Sequence, residues 1–576
     1  IRFDHAQWID KAIIYQITPY TFVPNGDLQD IIKKIPELAV LGVNTLYLQP
    51  IYETYGGGQG YDILNYFRMR PDHGTTADLR QFITTARQYG MRIMLDFVPG
   101  HSSIHHRYAK NSVQYGTDSH YYNFYKRTRD NAPYSMHYNT HPQGFLYYFW
   151  TDLPMFDYDN PEVQRWMLEA AKFWLVNFDI DGYRIDAVWG VNARNPEWAK
   201  KLRRTLKSIK PEIFLLAEDK ATWPATFDES FDAAYDWSAS ESWVSQWTWQ
   251  WDYNPSANPT IFNYPSQGSR ARMLREALTN YNNGYHPRAK ILRFLENNDT
   301  QPFYLHHGQA RTRMAAALLF ALNGIPMMYN GQEIGHSTHP YSTYNIFESY
   351  ASIRSLDTKL LFPYYQALIA IRNTYPSLSS ENYREIPMSP SSAQFGFHRW
   401  LGQENIFVLI NMANAPVTAQ ATLPVDRIEI DTLKTYYLTD MLSGEFLSVP
   451  GSELSNVSIS LDAYHTRIFL LADSVLSVTP LPEKKIVSPG TFALEQNYPN
   501  PFNPRTTIAF SVPDPGNVSL KIYDILGQEV MVLLNQHKMA GDHKVEFDGS
   551  GLASGVYIYQ LMYQKKNIQR KMVLLK

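Results

Sequence analysis

The feature that most narrows the fold of this chain is a recurrence. Short apolar runs, each followed by a turn and then a helix-like pattern, repeat along its first two thirds. The runs are AIIYQITPY (12–20), VNTLYLQPI (43–51), MRIMLDFVP (91–99), DGYRIDAVW (181–189), EIFLLAED (212–219), AKILRFLENND (289–299) and GIPMMYNGQE (324–333), with a weaker eighth at FDAAYD (231–236). Between them lie amphipathic stretches such as LQDIIKKIPELAVLG and TADLRQFITTARQYG, the second ending on Gly90 at a helix C′ position. Strand, helix, strand at this spacing predicts a parallel sheet with crossover helices. Eight such units close a (β/α)8 TIM barrel, an α/β fold whose chemistry sits at the C-terminal ends of its strands. Asp96, Arg184, Asp186, Glu218 and Asp299 all fall at those ends.

Two stretches depart from the repeat. Residues 101–155 are rich in His, Tyr and Asn without a clear period, and read as a domain inserted after the third strand. The barrel domain therefore occupies 1–100 and 156–380. From 381 to 473 short alternating runs such as AQFGFHRW, NIFVLINMA and TRIFLLA predict an antiparallel β domain. A Pro-, Ser- and Lys-bearing linker spans 474–489, and 490–576 reads as a further small β-sandwich.

Composition removes several function classes. A formal charge of −3 leaves no electrostatic footprint for nucleic acid or an anionic membrane. With no cysteine there are no disulfides, thiolate nucleophiles or thiolate metal sites. No run approaches the ~18 apolar residues of a membrane helix, and a chain beginning at Ile1 is consistent with a signal peptide already removed. Aromatic residues make up 14% of the chain, which suits sugar faces as well as cores. The Tyr-rich stretches 121–125 and 147–148 suit a cleft wall, with no individual residue singled out, whereas Trp243, Trp247 and Trp251, at i, i+4 and i+8, suit a sugar-stacking strip but read more readily as the buried face of a helix.

Breaking an acetal between sugars requires an acid for the leaving oxygen and a carboxylate for the cationic carbon. Arg184 and Asp186 lie two residues apart on a strand, so both project to one face and the guanidinium favours an ionised Asp186. Glu218 needs the opposite treatment, a raised pKa that keeps a proton. Asp299 is a third carboxylate able to bind sugar hydroxyls. Taken singly, an Arg-x-Asp is more often an ion pair, and a strand-end acid such as those of LENND is more often a cap.

DFVPGH (96–101), GYRIDAVW (182–189), LLAEDKA (215–221) and FLENND (294–299) stand in the order of the signature regions of the α-amylase family, glycoside hydrolase family 13. LPMFDYDNPEV (153–163), GYD (60–62) and GIPMMYNGQEIG (324–335) are similar to further familial segments, and the resemblance covers roughly residues 8–472. It implies that Asp186 is the nucleophile of a retaining mechanism, Glu218 the acid and then the base, and Asp299 a transition-state stabiliser. By the same resemblance Arg184 orients Asp186, His101 and Tyr61 line the sugar subsite, Asp62 is a lesser substrate-binding residue, and Asp96 is mainly a structural hydrogen-bonding one. Asn298 stands where the family usually has a His that bonds the same sugar; Asn can still donate and accept, so it is expected to bind substrate, with altered affinity or pH response. Gly100 stands where calcium-dependent relatives place an Asn ligand. No cofactor is implied for the chemistry, a structural calcium is left open and no ligand is named for it. Gly58 stands about where chain-end-cutting relatives carry Asp, which leans away from a pure α-glucosidase.

The tail, FALEQNYPNPFNPRTTIAFSVP (492–513) with IYDILGQEV and GLASGVYIYQL, resembles the C-terminal sorting domain of the type IX secretion system. It implies a secreted or cell-surface protein that meets the secretion machinery. A carbohydrate-binding appendage is the alternative. The expected activity is hydrolysis of α-1,4 links in starch or maltooligosaccharides. A cyclomaltodextrinase, neopullulanase or glucanotransferase is the neighbouring reading. A non-catalytic glucan-binding surface protein is the remote one, disfavoured because all three acids are present.

Overall fold

The structure, a computed structural model, describes residues 5–56, 59–127, 144–146, 152–237, 260–338, 345–347, 351–475, 492–497, 500–512, 516–538, 541–564 and 566–575. Gly58, Tyr147, Tyr148, Trp243, Trp247, Trp251 and most of the linker lie outside the described residues. Eight parallel strands close a barrel: β1 (Ile14–Ile17), β2 (Thr45–Leu48), β3 (Arg92–Phe97), β4 (Gly182–Ile185), β5 (Phe214–Lys220), β6 (Ala233–Tyr235), β7 (Lys290–Phe294) and β8 (Ile325–Tyr329). Each pairs with the next, and β8 returns to β1 with Ile14 opposite Met327. All eight runs singled out in the sequence are strands, the weak FDAAYD included.

Inward-facing Ile14, Tyr47, Met94, Phe214, Leu216, Ala233, Tyr235, Leu292, Phe294 and Met327 fill the barrel. At about 25 cal/mol per Å² of apolar surface removed from water, rings and branched chains of this size are what hold it closed. The TADLRQFITTARQYG stretch forms a helix over Thr76–Gln88, opened by a reciprocal capping box between Thr75 and Asp78, with Gly90 beyond its end at φ +75°. LQDIIKKIPELAVLG does not form one helix. It splits into Leu28–Ile32 and Ile35–Leu41, because Pro36 has no N–H and its ring excludes the carbonyl of Ile32 from a continuing helix.

An antiparallel ribbon, Tyr52–Thr54 with Ile63–Met69, follows β2 and was not foreseen. It holds Tyr61 and Asp62 in its turn, and Tyr66 Oη donates to the carbonyl of His101 on the loop after β3. In the insertion, bridges pair His101 with Met155 and Tyr125 with Phe156. Three rings of the Tyr-rich stretch 121–125 make packing contacts there. Tyr121 stacks on Tyr108 at 3.9 Å, Tyr122 lies under the Arg127 guanidinium at 3.6 Å, and Tyr125 is buried with its hydroxyl on Ser102.

Beyond the last barrel helix, Phe362–Thr374, a six-stranded antiparallel sheet includes Gln394–Leu401, Glu404–Asn411 and His465–Ala472. The chain divides into two compact units, Ile1–Pro480 and Leu481–Lys576. The second has antiparallel sheets of three and four strands around Ile508, Phe510, Leu520, Tyr559 and Leu561. Among the described residues no helix is long and apolar enough to cross a membrane.

Candidate active site

Four strand ends converge on one guanidinium. Asp96 on β3 and Arg184 on β4 are register partners, so their side chains enter the barrel mouth at one level. Arg184 Nη1 donates to Asp96 Oδ1 at 2.9 Å and to Asp186 Oδ1 at 2.6 Å, while Nη2 reaches Glu218 Oε1 at 2.6 Å. Nε is 3.2 Å from the hydroxyl of Tyr235 on β6. The planar fork thus holds three carboxyl groups at once, which a lysine could not do.

A second tie joins the two acids proposed for chemistry. Ala187, directly after Asp186, sits at φ 43°, ψ 33°, a left-handed conformation that a residue with a Cβ rarely adopts. Its N–H donates to Glu218 Oε2 at 2.6 Å. Glu218 is therefore bound to Arg184 by one oxygen and to the backbone beside Asp186 by the other.

All three acids are buried. Burial pushes the Asp186 carboxyl well up, the Arg184 guanidinium pulls it down, and Glu218 and Asp96 push it up again. Burial also carries Glu218 to about 7, opposed by Arg184 and reinforced by Asp299. Three carboxyls share one fixed positive charge and are largely withdrawn from water. If all were ionised they would leave an excess of two negative charges, so the cluster keeps a proton near neutral pH.

Asp299 is half-buried on the turn after β7. Its N–H donates to Asn297 Oδ1 at 2.9 Å, an Asx turn of the kind that closes strands, so in LENND the capping is done by Asn297. Asp299 Oδ1 accepts from Asn298 Nδ2 at 3.0 Å. Tyr61 Oη is 3.2 Å from Asp96 Oδ2 and accepts from Gln49 at 3.0 Å. His101 Nε2 lies 3.2 Å from the Tyr61 carbonyl, so Nε2 carries hydrogen, and burial holds the ring neutral at a pKa of about 4. Asp62 stands apart from the guanidinium. Burial carries its carboxyl to about 7, tempered by Arg70 and raised by Asp152.

Asp96, expected as a structural hydrogen-bonding residue, accepts from Arg184, Tyr61 and, at 2.6 Å, Tyr47. Gln16, Tyr47, Gln49 and Tyr235 were not singled out. Their signal was a polar or hydroxylated residue set within an apolar strand run, at positions that alternation turns inward. For calcium, position 100 offers no side-chain oxygen, and among the described residues no three Asp, Glu or His side chains are arranged to hold a metal ion.

Behind the turn lie two further buried acids. Glu296 accepts from the Phe303 N–H, and burial with the nearby Glu333 carries it to about 8. Glu333 accepts from Tyr15 at 2.6 Å and is carried by burial to about 7. Carboxyls whose pKa values are higher folded than unfolded favour the folded state fully only below their unfolded values near 4.5, and that stability is lost as pH rises through the folded ones. The melting temperature is therefore expected to fall between pH 5 and pH 8.5. Glu296→Gln should flatten that slope in thermal scans, whereas an unchanged slope would show that Glu296 does not titrate there.

Residues 4–358 match the model of the α-amylase catalytic domain, and residues 496–575 match that of the secretion system C-terminal sorting domain. The chain is 25% identical over 463 residues to Alpha-amylase 3 of Dictyoglomus thermophilum, covering 70% of this chain and 85% of that protein. It is 24% identical over 493 residues to a cyclomaltodextrinase of Geobacillus thermopakistaniensis, covering 80% and 77%. Among solved structures, the α-amylase of Geobacillus thermoleovorans in complex with acarbose superposes with a TM-score of 0.63 over 81% of this chain and 99% of that one. At 22% identity this last likeness speaks for the fold alone.

Proposed function

The chain belongs to the α-amylase family of glycoside hydrolases, and we propose that it cleaves α-1,4-glucosidic bonds of starch or maltooligosaccharides with retention, by double displacement. Its sorting domain marks it for type IX secretion to the cell surface or outside, where polymeric glucan is met. The observation that carries the mechanism is the single Arg184 guanidinium bonded to both Asp186 and Glu218 at 2.6 Å.

In the first step Glu218 gives its proton to the glycosidic oxygen and the bond from C1 to that oxygen breaks. Asp186 supplies an electron pair to C1 and forms the glycosyl ester. In the second step Glu218, now a carboxylate, takes a proton from water, whose oxygen bonds to C1 as the ester bond breaks and returns the pair to Asp186. Burial that carries Glu218 to about 7 suits it to both tasks. Asp299, held by Asn298, binds hydroxyls of the reacting sugar, and Tyr61 with neutral His101 forms its other wall.

Proton NMR of the product from maltooligosaccharide, recorded before mutarotation, is expected to show the α anomer. Early β anomer would exclude double displacement. The likeness to a cyclomaltodextrinase over 80% of this chain supports one second reading, a preference for cyclic glucan. Faster hydrolysis of cyclodextrin than of soluble starch would select it.

A further inference from the structure

Asn298 differs from histidine in a way that bears on how the third carboxylate is held. An ionised carboxylate only accepts, so the Asn298 amide must turn its NH2 toward Asp299. Its carbonyl oxygen then faces the other way and requires a donor. Gln16, fully buried on β1, supplies it, with Nε2 to Asn298 Oδ1 at 2.8 Å. The chain of donors therefore runs in one direction, from Gln16 through Asn298 to Asp299. Holding Gln16 in this sense leaves its own Oε1 buried without a hydrogen-bond partner among the described residues. A buried acceptor left unpaired is unfavourable, so the orientation is maintained against a local penalty.

We propose that Gln16 is a positioning residue for Asp299, acting through Asn298 to fix the direction of the amide that binds the carboxylate. The inference rests on the reading of Asp299 as a sugar-binding acid, and it adds β1, a strand with no acid at its end, to the machinery. Where a histidine would gain or lose charge, this relay is neutral throughout and does not titrate.

Two near-isosteric substitutions test the direction of the relay. Gln16→Met removes the donor, frees the Asn298 amide to rotate, and is expected to lower kcat/KM on the order of tenfold, as substitutions behind a site commonly do. Gln16→Glu introduces a group that donates through O–H when protonated and only accepts when ionised. The ratio of its kcat/KM to wild type is expected to approach one at low pH and to fall below that of Gln16→Met as pH rises. The ionised group would capture the Asn298 NH2 and turn its oxygen on Asp299. The titratable groups on the elements around position 16 are Tyr47 on β2, Tyr329 on β8, Glu333 after β8, and Glu296 and Asp299 after β7. Of the cations, Arg184 acts on Tyr47. The acids raise the pH at which the introduced carboxyl ionises and do not reverse the sign.

A ratio independent of pH, or unchanged activity in Gln16→Met, would overturn the proposal. Should Gln16→Glu fail to fold by circular dichroism, Gln16→Met alone decides. Failure of the hydrolase reading itself would appear separately, as wild type releasing no sugar.

Discussion

Replacing Asp186 by asparagine is expected to lower kcat on starch by about four to six orders of magnitude while leaving the melting temperature close to wild type. The first part follows from chemistry: an amide oxygen cannot supply the electron pair for a stable ester at C1, so the double displacement loses its intermediate. The second follows from geometry. Asparagine is isosteric, and its Oδ1 can still accept from Arg184 Nη1, the 2.6 Å bond of the native carboxylate. One negative charge then leaves a cluster of three carboxyls around one guanidinium. The charge of Arg184 is then balanced against only two carboxylates, Asp96 and Glu218, which favours the charged form of Glu218. The residual activity of Asp186→Asn should accordingly decline at a lower pH than that of wild type, because a general acid that ionises earlier stops working earlier. Single-turnover assays across pH 4–9, with calorimetry on the same samples, measure both. Asp186→Asn activity within tenfold of wild type would refute the nucleophile, and a collapsed melting temperature would mean that the loss came from unfolding.

The barrel and its acids were legible for a common reason. Each strand lies in a mainly apolar run, and its C-terminal end is where the fold gathers chemistry. Arg184 and Asp186 share a face by the period of two, a local property that needs no knowledge of the partner strand. What could not be read was pairing across distance. Gln16 and Asn298 are 282 residues apart, and nothing local to IIYQIT specifies which strand end its amide meets. The alignment of Asp96 with Arg184 depends on the register between β3 and β4, which is set by the whole sheet. The aromatic insertion was ambiguous because rings have two uses: Tyr121 packs on Tyr108, Tyr122 on Arg127 and Tyr125 on Ser102, and composition does not separate such packing from a sugar platform. The split at Pro36, by contrast, was readable and was passed over in favour of the apolar period.

Arg184→Met is expected to be the most damaging single substitution for stability in the barrel mouth. Buried ion pairs are not in general a source of net stability, and replacing a whole pair by apolar groups is often neutral. This cluster is a different case, because one cation serves Asp96, Asp186 and Glu218, and removing it leaves all three acids behind. Breaking a buried pair from one side costs about 3–5 kcal/mol, and here the loss is set by how many of the three must stay ionised. That makes it depend on pH. Without Arg184 the folded pKa values of all three rise further above their unfolded values, so the folded state binds more protons than the unfolded one between about pH 4 and pH 9. Stability then falls as pH increases across that window, more steeply than in wild type. Denaturant unfolding should show a small deficit at pH 5 and a large one at pH 8.5. Arg184→Lys should fall between, since one ammonium can meet one or two of the carboxyls but cannot span them with a planar fork. A deficit equal at both pH values would mean that Arg184 stabilises through packing against Tyr235, whose ring centroid lies 5.9 Å from its guanidinium carbon, and that the three acids do not rely on its charge.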